Sequence, residues 1–180
     1  MSIQEEKRAL RKLIKEKKKL WSAEQNHVAS GRIFAGIEQL EAFRQAQTVL
    51  AYWSMPDEVH THDFVLKWYL KKTIFLPLVV GDNLELRQFT GMQCMQQGVA
   101  FGILEPWQGP PAQADQVDFA VIPGVAFDRT GNRMGRGKAY YDKLLRNHQF
   151  FKAGVCFDFQ LLERVPVEPT DIPMDAVLSF

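Results

Sequence analysis

Three short apolar runs limit what this chain can fold into. Thr48–Trp53, Thr73–Val80 and Phe119–Pro123 fall far short of the roughly 18 apolar residues of a membrane span and have the length and residue types of buried strands. The stretches between and around them carry helical signals. Leu10, Leu13, Ile14, Leu20 and Trp21 recur near the helical period from Lys7 to Trp21. Ser22 and Gln25 form a capping box, so a second helix is expected to about Arg44, burying Ala29, Ile33, Ile37, Leu40 and Phe43. Thr61–Leu70 and Lys138–Asn147 read as further helices. Leu84–Phe89, after the turn Gly81–Asn83, reads as a half-exposed strand, and Val155–Phe159 and Ala176–Phe180 as late strands. Residues 105–116, rich in Pro, Gly and Gln, form the clearest loop.

Helices alternating with buried strands predict an α/β fold: a single domain, a mostly parallel sheet flanked by helices, in a Rossmann-like three-layer arrangement. The 180 residues suit one domain, and no repeat or linker divides them. Right-handed crossovers then gather ligand groups at the carboxyl ends of the strands. With 46% hydrophobic and 24% charged residues, disorder is excluded for the bulk of the chain. The charged N-terminus has no apolar signal core, and Cys94 and Cys156 fit no metal or redox motif, so they read as reduced thiols. The expectation is a cytoplasmic monomer with no membrane partner.

Charge is unevenly spread. Residues 7–19 hold eight basic side chains and one acid, Glu16, while the rest of the chain is net acidic. Such a segment either attracts a polyanion or is a solvated helix face. A nucleic-acid-binding module would use this segment, but the acidic remainder and the lack of RNA-binding motifs count against nucleic acid as a partner.

The densest chemistry lies in Asp118–Asp128, continuing through Gly131-Asn-Arg-Met-Gly-Arg-Gly-Lys-Ala-Tyr-Tyr-Asp142. A buried strand ends at Pro123-Gly124, a loop follows, and a helix opens near Lys138. Gly131, Gly135 and Gly137 let backbone N–H groups approach an anion, while Arg133, Arg136, Lys138 and the helix N-terminus supply positive potential. A polyphosphate suits such a loop; a glycine-rich turn with solvated bases is the plainer alternative. It is not a Walker loop, because the lysine spacing is wrong and Ala139 follows Lys138, nor a dinucleotide fingerprint, because Tyr140 stands where glycine or alanine is needed. Asp142 either stabilises the helix start or holds Mg²⁺ against phosphates, and Asp171 is a second carboxylate candidate between two prolines. Glu58 follows the first strand, where ligand groups gather in parallel sheets, although an exposed loop carboxylate is the more common explanation of such a residue. His60 and His62, with no further His or Cys nearby, read as a loop or helix-start pair.

These residues resemble a known family. Arg133–Asp142, preceded by Ile122–Asp128, is similar to the signature of 5-formyltetrahydrofolate cyclo-ligases. Lys7-Arg-Ala-Leu-Arg11, Tyr52–Glu58, Phe101-Gly-Ile-Leu-Glu-Pro106 and Val165–Asp171 resemble further family segments in the same order. The resemblance implies closure of 5-formyltetrahydrofolate to 5,10-methenyltetrahydrofolate, with ATP as co-substrate and Mg²⁺ as cofactor. It implies that Lys7, Arg11 and the stretch Arg133, Met134, Gly135, Arg136, Gly137, Lys138, Ala139, Tyr140 and Tyr141 contact ATP. Trp53, Glu58 and Arg136 through Tyr140 would border the folate, with Arg136, Lys138 and Tyr140 as the catalytic groups and Asp142 and Asp171 as metal ligands. Two residues depart from the family pattern: Ala139 stands for a usual glycine, and Trp53 is bulkier than the expected leucine. Another sugar- or nucleotide-phosphate enzyme on a similar framework is the remaining alternative.

Overall fold

Residues 2–98 and 102–180 are described by a computed structural model of the protein. A seven-stranded sheet runs through its centre, built from β1 (Thr48–Leu50), β2 (Thr73–Val80), β3 (Asn83–Gln88), β4 (Pro111–Ala112), β5 (Phe119–Pro123), β6 (Phe151–Cys156) and β7 (Ala176–Ser179). Its spatial order is β7-β6-β5-β1-β2-β3-β4. The five strands from β7 to β2 are mutually parallel, and β3 and β4 extend the sheet antiparallel. The helices are α1 (Ile3–Lys19), α2 (Ala23–Gln39), α3 (Glu41–Gln45), α4 (His62–Trp68) and α5 (Tyr140–Leu145). Among the described residues no helix is long and apolar enough to cross a membrane.

The two-residue period of the strands splits the core into two layers. Val49, Ile74, Leu76, Phe119 and Val121 face one side, where Ile33 and Ile37 of α2, Phe43 of α3 and Phe64 of α4 cover them. Leu50, Phe75, Ala120 and Ile122 face the other, against Leu145 of α5. Both faces of the parallel strands are therefore buried, and the expected three-layer α/β arrangement is present. Phe43 is fully buried and makes edge contacts with Trp68 and Phe119. Truncating a side chain so enclosed costs about 3–5 kcal/mol.

Several sequence expectations shift. The first helix starts at Ile3, capped by a Ser2–Glu5 box. Of its apolar residues only Ile14 is fully buried; Leu13 is exposed and Leu20 is 85% exposed, while Lys7 turns inward. The second helix breaks at Leu40, whose extended backbone (ψ 130°) separates α2 from α3. β1 stops at Leu50 rather than Trp53. Its last ladder bond runs from the Ala51 N–H to the Phe75 carbonyl, and the next donor in the register falls on Pro77, which has no N–H. The segment 105–116 is not all loop: Pro111 and Ala112 pair with Arg87 and Leu86. The Gly131–Gly137 stretch likewise contains a short ladder, Arg133–Met134 against Ala126–Phe127. β6 begins at Phe151, ahead of the expected Val155, and pairs with β5 from Phe151 to Val155, with Gly154 leaving room for the Phe127 ring that a Cβ would meet at 2.5 Å. Phe101, at the head of one family-like segment, lies outside the described residues.

Candidate active site

Chain order reverses between β1 and β5: the chain leaves β1 for β2 on one side and later returns on the other. Open parallel sheets bind ligands outside the carboxyl ends of strands at such a switch point. A cavity of about 350 Å³ lies here. Tyr52 and Trp53 after β1, Pro77 and Val79 of β2, and Pro123 and Gly124 at the end of β5 contribute to its wall. The missing N–H of Pro77 thus both ends the β1 ladder and frees the following residues to turn into the cavity.

One wall is apolar and aromatic, with Met55, Leu84, Ile103 and Leu104 joining Trp53 and Pro77. Trp53 is held flat. Its ring stacks on His62 at 3.9 Å and 11°, and lies 5.9 Å from Phe89 at 24°. Burial, and then the neighbouring His60, keep the His62 pKa below that of an ordinary histidine. A neutral imidazole bonded to the Ser54 carbonyl at 3.1 Å must donate through Nε2. His62 therefore supports the tryptophan, and His60 packs against His62 with ring centroids 4.5 Å apart. Tyr52 lies beneath, its hydroxyl donating to the Val59 carbonyl; burial, and then Glu58, hold the phenol well above its usual pKa.

The opposite wall is polar and comes from α1 and the segment after β5. Lys7, 5% exposed, donates to Asp171 at 2.6 Å and to Glu168 at 2.9 Å. Desolvation works against its ammonium, yet the two carboxylates raise its pKa overall. One turn further along α1, Arg11 Nε donates to the Gly135 carbonyl at 3.0 Å. Arg136 lies between Asp57 and Glu58, and Lys138 is exposed with no ion pair to a described residue. Gly137 has φ +100°, and Ala139, which caps α5, has φ +54°. A left-handed conformation costs an L-residue about 1–2 kcal/mol that glycine avoids, so an alanine at this position is felt as backbone strain. Upstream, the buried Asp128 carboxylate accepts from Thr130, Asn132 and the Val165 N–H, which fixes the turn leading into the loop. Burial opposes its charge, but these bonds lower its pKa.

Most of the sequence candidates converge on this cavity. Lys7, Arg11, Trp53, Glu58, Arg133, Gly135, Arg136, Gly137, Lys138, Ala139, Tyr140, Tyr141, Asp142 and Asp171 all line it. Met134 does not; its side chain is buried with Ile14, Ala126 and Val165. Arg133 lines the wall but is no solvated loop cation. It is 4% exposed and clamped, donating to Asp142 at 2.8 Å and to the Pro123 carbonyl at 3.3 Å, because the short ladder turns it inward. Asp142 is accordingly more than a helix-end charge. Lys18 is not part of a solvated helix face: its side chain is 12% exposed and pairs with Asp57 at 3.0 Å. Glu168, Met55, Glu105 and Gln4 also border the cavity and were not anticipated. Lys18 had a readable signal: positions 7, 11, 14 and 18 share one helical face. Glu105 had only its place in the family-like segment ending at Pro106.

The donor set suits a hard cation of the magnesium type, which takes one or two carboxylates and completes its shell with phosphate oxygens and waters. Asp142 accepts from Arg133 on Oδ1, and Asp171 accepts on Oδ2, so the other oxygen of each has no described partner. Among the described residues no group of three His, Cys, Asp or Glu side chains forms a closed metal cage.

A sequence model of the 5-formyltetrahydrofolate cyclo-ligase family matches residues 3–179. The 5-formyltetrahydrofolate cyclo-ligase of Haemophilus influenzae is 30% identical over 166 residues, covering 87% of this chain and 88% of the relative. That of Mus musculus is 26% identical over 99% of this chain and 95% of its own length. The NMR structure of Aquifex aeolicus 5,10-methenyltetrahydrofolate synthetase superposes with a TM-score of 0.87 at 35% identity, covering 96% of this chain and 89% of that one.

Proposed function

The chain belongs to the 5-formyltetrahydrofolate cyclo-ligase family, and from that premise we propose that it closes 5-formyltetrahydrofolate to 5,10-methenyltetrahydrofolate at the expense of ATP. One observation carries the reading: apolar and aromatic side chains, Trp53 among them, and a cluster of cations line a single cavity. A pterin needs the first and a polyphosphate the second. In the proposed reaction the formyl oxygen attacks the γ-phosphorus of ATP and ADP leaves, giving an imidate phosphate. The folate N10 then adds to the formyl carbon and releases its proton to solvent, and inorganic phosphate departs with the original formyl oxygen.

The protein's part is alignment and charge. Trp53 and Tyr140 flank the pterin, and Glu58 borders it. Arg11, Arg136 and Lys138 lie against the phosphates, and the exposed N–H groups of the Gly135–Gly137 turn approach them without side-chain obstruction. Lys7 and Arg133 are committed to carboxylates and are assigned the holding of Asp171 and Asp142. These two carboxylates would hold Mg²⁺, which when bound neutralises developing phosphate charge. No covalent enzyme intermediate is needed, and the two thiols suit none, since burial pushes the Cys156 pKa up to about 12. A cytoplasmic, monomeric protein belongs to the same proposal.

The test is formation of the methenyl chromophore by purified protein supplied with 5-formyltetrahydrofolate and Mg²⁺, with and without ATP. The proposal requires ATP-dependent absorbance. Folded protein that yields none across a range of nucleotides and metals would remove it.

A further inference from the structure

Lys18 stands in a lysine-rich run at the end of α1, yet it differs from its neighbours. Lys17 and Lys19 are exposed, and among the described residues Lys19 pairs with Glu16 on its own helix. Lys18 is drawn in, its Nζ 3.0 Å from Asp57 Oδ2. That carboxylate is shared: Arg136 Nη2 lies 3.1 Å from Oδ1 and 3.4 Å from Oδ2. Arg136 is shared in turn, with Nη2 3.0 Å and Nε 3.3 Å from Glu58 Oε1. The result is a continuous chain of charge from Lys18 through Asp57 and Arg136 to Glu58. It ends on residues of the cavity wall, although Lys18 and Asp57 do not line the cavity themselves.

A guanidinium gripped by two carboxylates meets competition when it must also face phosphate oxygens. How strongly Asp57 competes depends on what else balances its charge. With Lys18 beside it, Asp57 stays paired when Arg136 turns away; without Lys18, Arg136 is its sole cationic partner and the grip tightens. We infer that Lys18 is a positioning residue for Arg136, acting through Asp57 to leave the guanidinium free to turn onto the phosphates of ATP. The inference rests on the nucleotide reading above. It also gives a physical sense to the inward face of α1. Lys7, Arg11 and Lys18 lie on one side, spanning about 16 Å at 1.5 Å per residue, and each reaches a different part of the site.

Direct ATP titration of wild type, Lys18→Gln, Lys17→Gln, Lys18→Arg, Asp57→Asn and the Lys18→Gln/Asp57→Asn double variant tests this. Lys18→Gln should weaken ATP binding about fivefold and raise the apparent KM for ATP more than that for folate, while Lys17→Gln changes either by less than about twofold. Lys18→Arg should restore the affinity. In the Asp57→Asn background, Lys18→Gln should have an effect below about twofold, since its route to Arg136 is gone. The Arg136 Nε–H resonance, followed by NMR without nucleotide, should move in Lys18→Gln and stay in place in Lys17→Gln. Equal effects of Lys17→Gln and Lys18→Gln, full additivity with Asp57→Asn, or an unmoved Arg136 signal would each overturn the inference. If the signal moves but wild type binds no ATP, the functional reading itself is wrong and the tuning of nucleotide affinity falls with it.

Discussion

The two faces of α1 are built from the same residue types and do different physical work. Lys7, Arg11 and Lys18 point at the site, where they bond to Asp171 and Glu168, to the Gly135 carbonyl, and to Asp57. Lys12, Lys15, Lys17 and Lys19 point to solvent. Between the inward bases lies Ile14, fully buried, with Leu10 packed against the same cluster, so a small apolar patch flanked by polar contacts holds the helix rather than a full apolar stripe. What separates a site cation from a solubilising one is its partner and its burial, not its identity. The local charge excess is therefore a poor guide to how many bases take part.

The largest effect should come from breaking the buried end of the inward face. Lys7→Met leaves Asp171 and Glu168 without their cation, and removing one partner of a buried pair costs roughly 3 kcal/mol, the low end of the range since Glu168 keeps some contact with water. Denaturant melts would measure it. The loss should depend on pH in a defined way. The Glu168 carboxyl is lowered from 4.5 chiefly by its bond from Lys7, so its contribution is present above about pH 4.5 and fades as pH falls through the lowered value. The Lys7 ammonium is raised from 10.5, so its contribution is whole below that pH and fades as pH rises through the raised value. The stability gap between wild type and Lys7→Met should be level between about pH 5 and 10 and narrow outside that window.

Asp142→Asn should lower stability by about 2 kcal/mol, more than a helix-end charge alone, because Arg133 would keep an oxygen to bond but lose its countercharge in a buried setting. It should also raise the Mg²⁺ concentration needed for half-maximal turnover; an unchanged requirement would leave Asp142 with the structural role alone. Arg136→Ala should reduce kcat/KM by at least about tenfold, the value of a charge-assisted contact, with little change in melting because the side chain is substantially exposed. The smallest effect belongs to the outward face. Replacing Lys12, Lys15 and Lys17 together by Gln should leave stability within about 0.5 kcal/mol and steady-state kinetics within about twofold at physiological salt. A loss matching that of Lys7→Met would mean that diffuse attraction, not specific partners, explains α1.

The sequence made the layers legible because β5 and β2 are apolar runs with the strand period, and because Ser22 and Gln25 mark a helix start in any context. It made the loop legible because glycines between arginines have few other uses. It did not reveal which cations turn inward. Arg133 and Arg136 are three residues apart in one loop, yet a two-residue ladder buries the first and leaves the second exposed. Lys18 shares a helical face with Lys7, Arg11 and Ile14, but that spacing does not name its partner, because Asp57 lies beyond two intervening helices in the chain. Strand ends were misread where a single missing donor, Pro77, decided them. Such outcomes depend on long-range pairings that local pattern cannot report.

The central claim is that the cation wall and the aromatic slot serve one event, phosphoryl transfer to the formyl oxygen. Turnover of 5-formyltetrahydrofolate labelled with oxygen-18 in the formyl group, with the released phosphate analysed by mass spectrometry, tests it most directly. The account predicts one labelled oxygen in each inorganic phosphate formed. Unlabelled phosphate from a reaction that still yields the methenyl product would contradict it.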